Sequence, residues 1–406
     1  MEPKDFISKR GASLKPSAIR EIFKYSGDPS FISFAGGYPD PDVFPVEELK
    51  EVSVEALDKY AKKALQYSAT EGVPELRQYL VKFMEEEENV KGLGEENIII
   101  TTASQQSLFL VGLVLIDPGD VVMVEAPTYL GALSAFDPFE PDYVSVPTDD
   151  DGIIPEKLEE MVIDLKKKGK KVKFLYVIPT FQNPAGYTLS LERRKRIVEI
   201  AEEQDFLIVE DDPYSYLVYE GERPPCVKSF DNSDHVIYLS TFSKTFVPGF
   251  RLGWIVAHKD IIRRIAISKQ AADLCTGAYM QYITYLYMQK GHFMKHIEAM
   301  RDIYKVKHAA MLEALDKYMS DIPGVYWSKP KGGFFVWLVL PETVDCDQLF
   351  DKAIEHKVVY VRGSAFFADG QGKNTARLNF SQPKVEDIDK GIKILADVIK
   401  ETMGIK

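Results

Sequence analysis

Short apolar runs alternate with helical patterns through the middle of this chain. Residues 97–102, 121–125, 143–146, 173–178, 206–210 and 236–239 read as strands, and residues 104–116, 155–168 and 191–204 between them read as helices. Strand and helix patterns thus alternate along the chain. That pattern predicts an α/β fold in which a mainly parallel sheet is covered by helices on both faces. Ligands of such sheets gather at the carboxyl ends of the strands, and most chemically suggestive residues of this chain fall just after one.

The flanking segments differ in character. Residues 1–30 are polar with a short helical pattern at 17–24, and residues 31–41 join a strand to a Gly-Gly and proline-rich turn. Helical periodicity dominates 46–88, broken at 65–72. A long charged helical pattern over 291–319 reads as a connector, and strand-like 333–340, 358–361 and 376–380 among helices predict a smaller α+β domain. The expected division is an N-terminal segment 1–46 that joins the small domain and covers the site, a large domain 47–299 and a small domain 300–406.

Composition excludes several function classes. With 50 basic and 62 acidic residues the net charge is −12, which makes nucleic acid a poor partner. Cys226, Cys275 and Cys346 are scattered, without the spacing of a disulfide framework or a zinc site, so a reducing, cytoplasmic setting is expected and no metal. The longest apolar run, 108–116, is far short of the ~20 residues of a spanning helix, and the first residues lack a signal-peptide apolar region.

The chemistry centres on residues 240–254. Apolar runs at 236–239 and 252–257 place Lys244 on a turn between two buried strands. Burial lowers the pKa of an amine and frees it to form a Schiff base with a carbonyl. Thr241 and Ser243 before it and Arg251 after it suit a phosphate monoester, and the set together suggests pyridoxal 5′-phosphate (PLP). A solvated surface lysine is the competing reading.

Other strand ends add to the set, each with an ordinary alternative. Ser104 opens a helix whose free N–H groups form an anion site, or it is only an N-cap. Tyr129 can stack on a planar ring or pack in the core. Asn183 can donate to a ring oxygen, although turn chemistry explains Asn-Pro equally well. Glu210, Asp211 and Asp212 end a strand just before Tyr214. A carboxylate there can keep a pyridine nitrogen protonated, and the tyrosine can hold the ring oxygen. His292 and His296 lack the glutamate of a zinc-protease motif.

These motifs in this order resemble the fold-type I PLP-dependent aminotransferases, in the branch of 2-aminoadipate, kynurenine and related multi-substrate enzymes. The resemblance runs from Ser17 to the C-terminus. It is carried by residues 32–41, 67–72, 104–106, 183–186 and 211–214, by Ser243-Lys244 with Arg251, and by residues 332–335 and 377–381. It implies a seven-stranded, mainly parallel sheet in the large domain, with Lys244 as the Schiff-base lysine and proton shuttle. Asp211 would pair with the pyridine nitrogen, Asn183 and Tyr214 with the ring hydroxyl oxygen, and Tyr129 would stack. Phosphate would fall to Ser104, Gln105, Thr241, Ser243 and Arg251, with Tyr67 reaching over from a second subunit of a homodimer. Arg377 would grip the substrate α-carboxylate and Gly37 would lie over the substrate. Arg20 matches a position that can bind a side-chain carboxylate, or it is a surface helix arginine. Arg362 stands where relatives commonly carry proline, which weakens inference about the substrate.

The implied reaction exchanges an amino group between an L-amino acid, whether 2-aminoadipate, aromatic or aliphatic, and a 2-oxo acid such as 2-oxoglutarate by a ping-pong route. A PLP-dependent carbon–sulfur β-lyase is the same-fold alternative. A PLP-binding transcription regulator would need a winged-helix module ahead of Ile32, and too few residues precede that motif.

Overall fold

The computed structural model describes residues 2–14, 16, 22, 25 and 28–405. Eight strands form its main sheet: β1 (Ile98–Thr101), β2 (Val121–Ala126), β3 (Asp142–Asp149), β4 (Gly152–Ile153), β5 (Val172–Val177), β6 (Leu207–Asp212), β7 (Val236–Thr241) and β8 (Gly253–Val256). Their order across the sheet is β1-β8-β7-β6-β5-β2-β3-β4. The run from β7 through β6, β5 and β2 to β3 is parallel, whereas β8 is antiparallel to both of its neighbours.

The sheet is mainly parallel, as expected, but has one strand more than the seven predicted. The extra strand is β4, a two-residue return paired antiparallel to β3. Its hairpin turns through Asp150 and Asp151 into Gly152, whose φ of +88° is a conformation that costs glycine little. Two residues make no legible strand pattern in sequence.

Burial on both faces explains the apolar runs. In β1, Ile99 enters one core while Ile98 and Ile100 enter the core on the opposite face. In β5, Phe174 and Tyr176 pack to one side and Leu175 and Val177 to the other. With no solvent face there is no polar alternation, so each position selects an apolar side chain. Burying each such side chain contributes about 1.5–3 kcal/mol.

A second sheet has four antiparallel strands in the order Tyr326–Trp327, Phe335–Val339, Thr375–Asn379, Val361–Arg362. A long helix, His292–Met319, presents Phe293 and Ile297 to the core beside β1 and β7, then Met300, Tyr304, Met311 and Leu315 to the core under the second sheet. Near the N-terminus, Ile32–Ser33 pairs in parallel with Val358–Val359. This pairing steers residues 35–37 across to the main sheet. The helical pattern predicted over 17–24 lies, apart from Ile22, outside the described residues, as does Arg20. Among the described residues, no helix is long and apolar enough to cross a membrane.

Candidate active site

Because β8 runs against both β1 and β7, the carboxyl ends of β1, β2, β5, β6 and β7 share one edge of the sheet. Ser104, Tyr129, Asn183, Tyr214 and Lys244 follow those ends, and Asp211 is the last residue but one of β6.

The half-buried Lys244 donates from Nζ to the Gly37 carbonyl at 2.6 Å, which draws the N-terminal segment onto the sheet edge. Burial, reinforced by the positive charges of Arg377 and Arg251, pushes its pKa down to about 8, and Asp211 opposes that shift.

Strand periodicity separates the three neighbouring acids on β6. Glu210 accepts from the Val227 and Lys228 N–H groups at 2.7 and 2.8 Å. Asp212 accepts from the Ser215 N–H and hydroxyl and from Tyr238 at 3.1, 2.7 and 3.2 Å. Asp211 points the other way. Its Oδ2 accepts from the Tyr176 hydroxyl at 2.8 Å, while its buried Oδ1 has no partner among the described residues. Burial pushes the Asp211 pKa up to about 7, against the lowering effect of the Tyr176 hydrogen bond. An unpartnered buried acceptor costs about 1–3 kcal/mol, so Oδ1 calls for a donor or a cation.

A compact turn surrounds Lys244. The buried Thr241 hydroxyl lies 2.9 Å from Ser243 Oγ and accepts from the Ser243 N–H at 3.2 Å. Arg251 adopts a left-handed φ of 52° after the Pro248–Phe250 turn. A Cβ added at Gly253 would stand 2.7 Å from the Ser240 carbonyl oxygen and 3.0 Å from the Ser104 nitrogen. Glycine there lets the start of the helix Ala103–Leu115, with its free first N–H groups, close against β7 and β8. The Gln105 side chain donates to the Gly131 carbonyl at 2.9 Å, which ties it to the loop beyond β2.

Arg377, in the middle of the strand Thr375–Asn379, is 1% exposed. Nη1 donates to Asn183 Oδ1 at 2.9 Å, and Nη2 donates to the Ala35 and Gly36 carbonyls at 3.0 and 2.9 Å. Its guanidinium lies 4.2 Å from the Phe335 ring centre and 5.2 Å from that of Phe366. Burial pushes its pKa down to about 10, opposed by Tyr214 and Tyr129. Asn183 hydrogen-bonds the Tyr214 hydroxyl, and Tyr129 interacts electrostatically with Asp211, Arg377 and Arg251. Lys244, Asp211, Tyr129, Asn183, Tyr214, Arg251 and Arg377 therefore converge. Tyr67 does not join them within one chain: it is 77% exposed. Arg362 turns to the helix Cys346–Glu355, with Nη2 3.7 Å from Asp351 and the guanidinium over Phe350 at 4.3 Å.

The family model described as aminotransferase class I and II matches residues 35–395. The chain belongs to this aminotransferase family. It is 48% identical over 398 residues to aromatic-amino-acid aminotransferase 1 of Thermococcus litoralis, which covers 98% of this chain and 95% of the relative. A Pyrococcus horikoshii kynurenine aminotransferase, solved in complex with PMP, KYN as substrates and KYA as products, superposes with a TM-score of 0.95 at 46% identity and 98% coverage of each chain. The alpha-aminoadipate aminotransferase of Thermus thermophilus, complexed with N-(5'-phosphopyridoxyl)-L-leucine, gives 0.90 at 36% identity and full coverage of both chains.

The aminotransferase uses PLP, and its residues fit that group. Asp211 Oδ1 is a buried acceptor in want of a protonated nitrogen, and the first N–H groups of the helix Ala103–Leu115, which Gly253 lets approach β7 and β8, offer donors to an anion. Sequence reasoning missed two contributors. Tyr176 sits in an apolar strand, where its hydroxyl carries no signal of its own. The carbonyls of Ala35 and Gly36, which orient Arg377, are backbone atoms that no residue type announces.

Proposed function

We propose that this aminotransferase exchanges the amino group between aromatic or 2-aminoadipate-type L-amino acids and a 2-oxo acid such as 2-oxoglutarate. The observation that carries this reading is the convergence of the Lys244 amine, the free Asp211 oxygen and the Arg377 fork on one sheet edge. Relatives named for aromatic amino acids, kynurenine and alpha-aminoadipate support the substrate range.

When bound, the cofactor supplies an aldehyde for amine exchange and a ring that withdraws electrons from the substrate Cα. Asp211 holds the ring nitrogen, Tyr129 stacks on the ring, and Asn183 and Tyr214 hold its hydroxyl oxygen. Ser104, Gln105, Thr241, Ser243 and Arg251 hold the phosphate, joined by Tyr67 of a second subunit in a homodimer. The exposure of Tyr67 supports that arrangement. Arg377 receives the α-carboxylate, Gly37 covers the substrate, and Lys244 Nζ moves the Cα proton as a general base, a role typically contributing 10²–10⁴-fold. Arg20 extends the site toward side-chain carboxylates.

The proposal includes a cytoplasmic setting and the division into 47–299 and 300–406, with 1–46 serving the small domain. The division is supported by one sheet within 98–256 and the other within 326–379. A panel of amino acids against 2-oxoglutarate, ranked by kcat/KM, tests the assignment. Aromatic amino acids and 2-aminoadipate should rank highest, with parallel-line double-substrate kinetics. Pyruvate formed from cysteine conjugates without any oxo acid would replace it with β-elimination.

A further inference from the structure

We propose that Tyr176 is a positioning residue for the cofactor: its hydroxyl holds Oδ2 of Asp211 and so turns Oδ1, as a carboxylate oxygen, toward the ring nitrogen. The inference rests on the reading that Asp211 faces that nitrogen.

Tyr176 lies on β5 and Asp211 on the adjacent β6, where Tyr176 pairs with Val209, two residues before Asp211. The tyrosine is fully buried, with its ring edge-on to Phe136 at 5.9 Å and its hydroxyl 2.8 Å from Asp211 Oδ2. Ring packing alone would be served by phenylalanine. The buried hydroxyl needs a partner, and the partner it has is Asp211.

A carboxylate rotates broadly about its last torsion, so a single strong donor on one oxygen sets the direction of the other. The donor also matters for charge. A buried carboxyl without one takes up a proton more readily, and the neutral acid lacks the negative charge that keeps a ring nitrogen protonated. Tyr176 is suited to donate without being deprotonated, because burial and the nearby charges of Asp211 and Glu125 hold its own pKa well above the ordinary tyrosine range.

The test titrates apoenzyme with PLP, reading the dissociation constant from cofactor absorbance, for wild type, Tyr176→Phe, Asp211→Asn and the double variant. Tyr176→Phe should weaken PLP about tenfold, in line with loss of a hydrogen bond to a charged group. In the Asp211→Asn background the same change should move the constant less than about twofold, the coupling expected of one shared interaction. Equal losses in both backgrounds, or a Tyr176→Phe constant matching wild type, would overturn the role of Tyr176 while leaving Asp211 in place. An Asp211→Asn constant matching wild type would overturn the seating of the ring nitrogen and this proposal with it. If Tyr176→Phe does not fold, Tyr176→His compared with Tyr176→Leu sets a donor against none, and equal affinities refute the idea.

Discussion

Replacing Arg377 by lysine keeps a positive charge at the site but removes the planar fork. In the structure two Nη atoms make three hydrogen bonds of 2.9–3.0 Å, to Asn183, Ala35 and Gly36, and the guanidinium lies against Phe335 and Phe366. A lysine ammonium is a single point that can neither bridge those acceptors nor meet both oxygens of a carboxylate in one plane. Exchanging a paired, charge-assisted contact for a single one loses about 1.5–3 kcal/mol, or about tenfold to a hundredfold in kcat/KM. The carboxylate is held alike before and during the reaction, so the loss should appear mainly in KM. The assay compares Arg377→Lys with wild type on an aromatic amino acid and on the amine that lacks its carboxylate. The amine should react almost equally well with both enzymes. An equal loss on the two substrates would show that Arg377 supports the fold of the site and does not grip the carboxylate.

Lys244→Ala should abolish transamination and the borohydride-reducible cofactor linkage, and retained turnover would show the assignment wrong. The pH dependence of Lys244 follows from its lowered pKa of about 8. With a depressed value the free amine reaches half of the population near pH 8 and saturates about one pH unit above it. At pH 7 about one apoenzyme molecule in ten then holds the neutral amine, against about one in three thousand for an ordinary lysine. The rate at which apoenzyme captures a small aldehyde should therefore climb about tenfold per pH unit up to pH 7 and level off above 8. Asp211→Asn removes a negative charge that raises this pKa, so the plateau should begin at lower pH; a curve still rising at pH 10 would refute the burial argument. Arg20→Ala should selectively weaken acidic substrates, and unchanged kinetics with 2-aminoadipate and glutamate would remove Arg20 from the site.

The strands that carry the site were legible because their signal is local. A strand covered on both faces selects apolar residues on both, and that need is written into the apolar stretches within 97–102, 121–125, 173–178, 206–210 and 236–239. Lys244 was legible for the same reason, as a charged residue set between two such runs, and so was the acidic end of β6. Tertiary structure decided which of three adjacent acids keeps an oxygen free: Val227, Lys228, Ser215 and Tyr238 occupy Glu210 and Asp212, and nothing local marks them as partners. It also decided that Tyr176 meets Asp211 and that Arg377 meets Ala35 and Gly36, more than 300 residues away in the chain. Hydrophobic periodicity reports whether a residue is covered. Which neighbour covers it depends on the strand order β1-β8-β7-β6-β5-β2-β3-β4, which is set by the packing of all the strands and helices together and by no stretch of sequence alone.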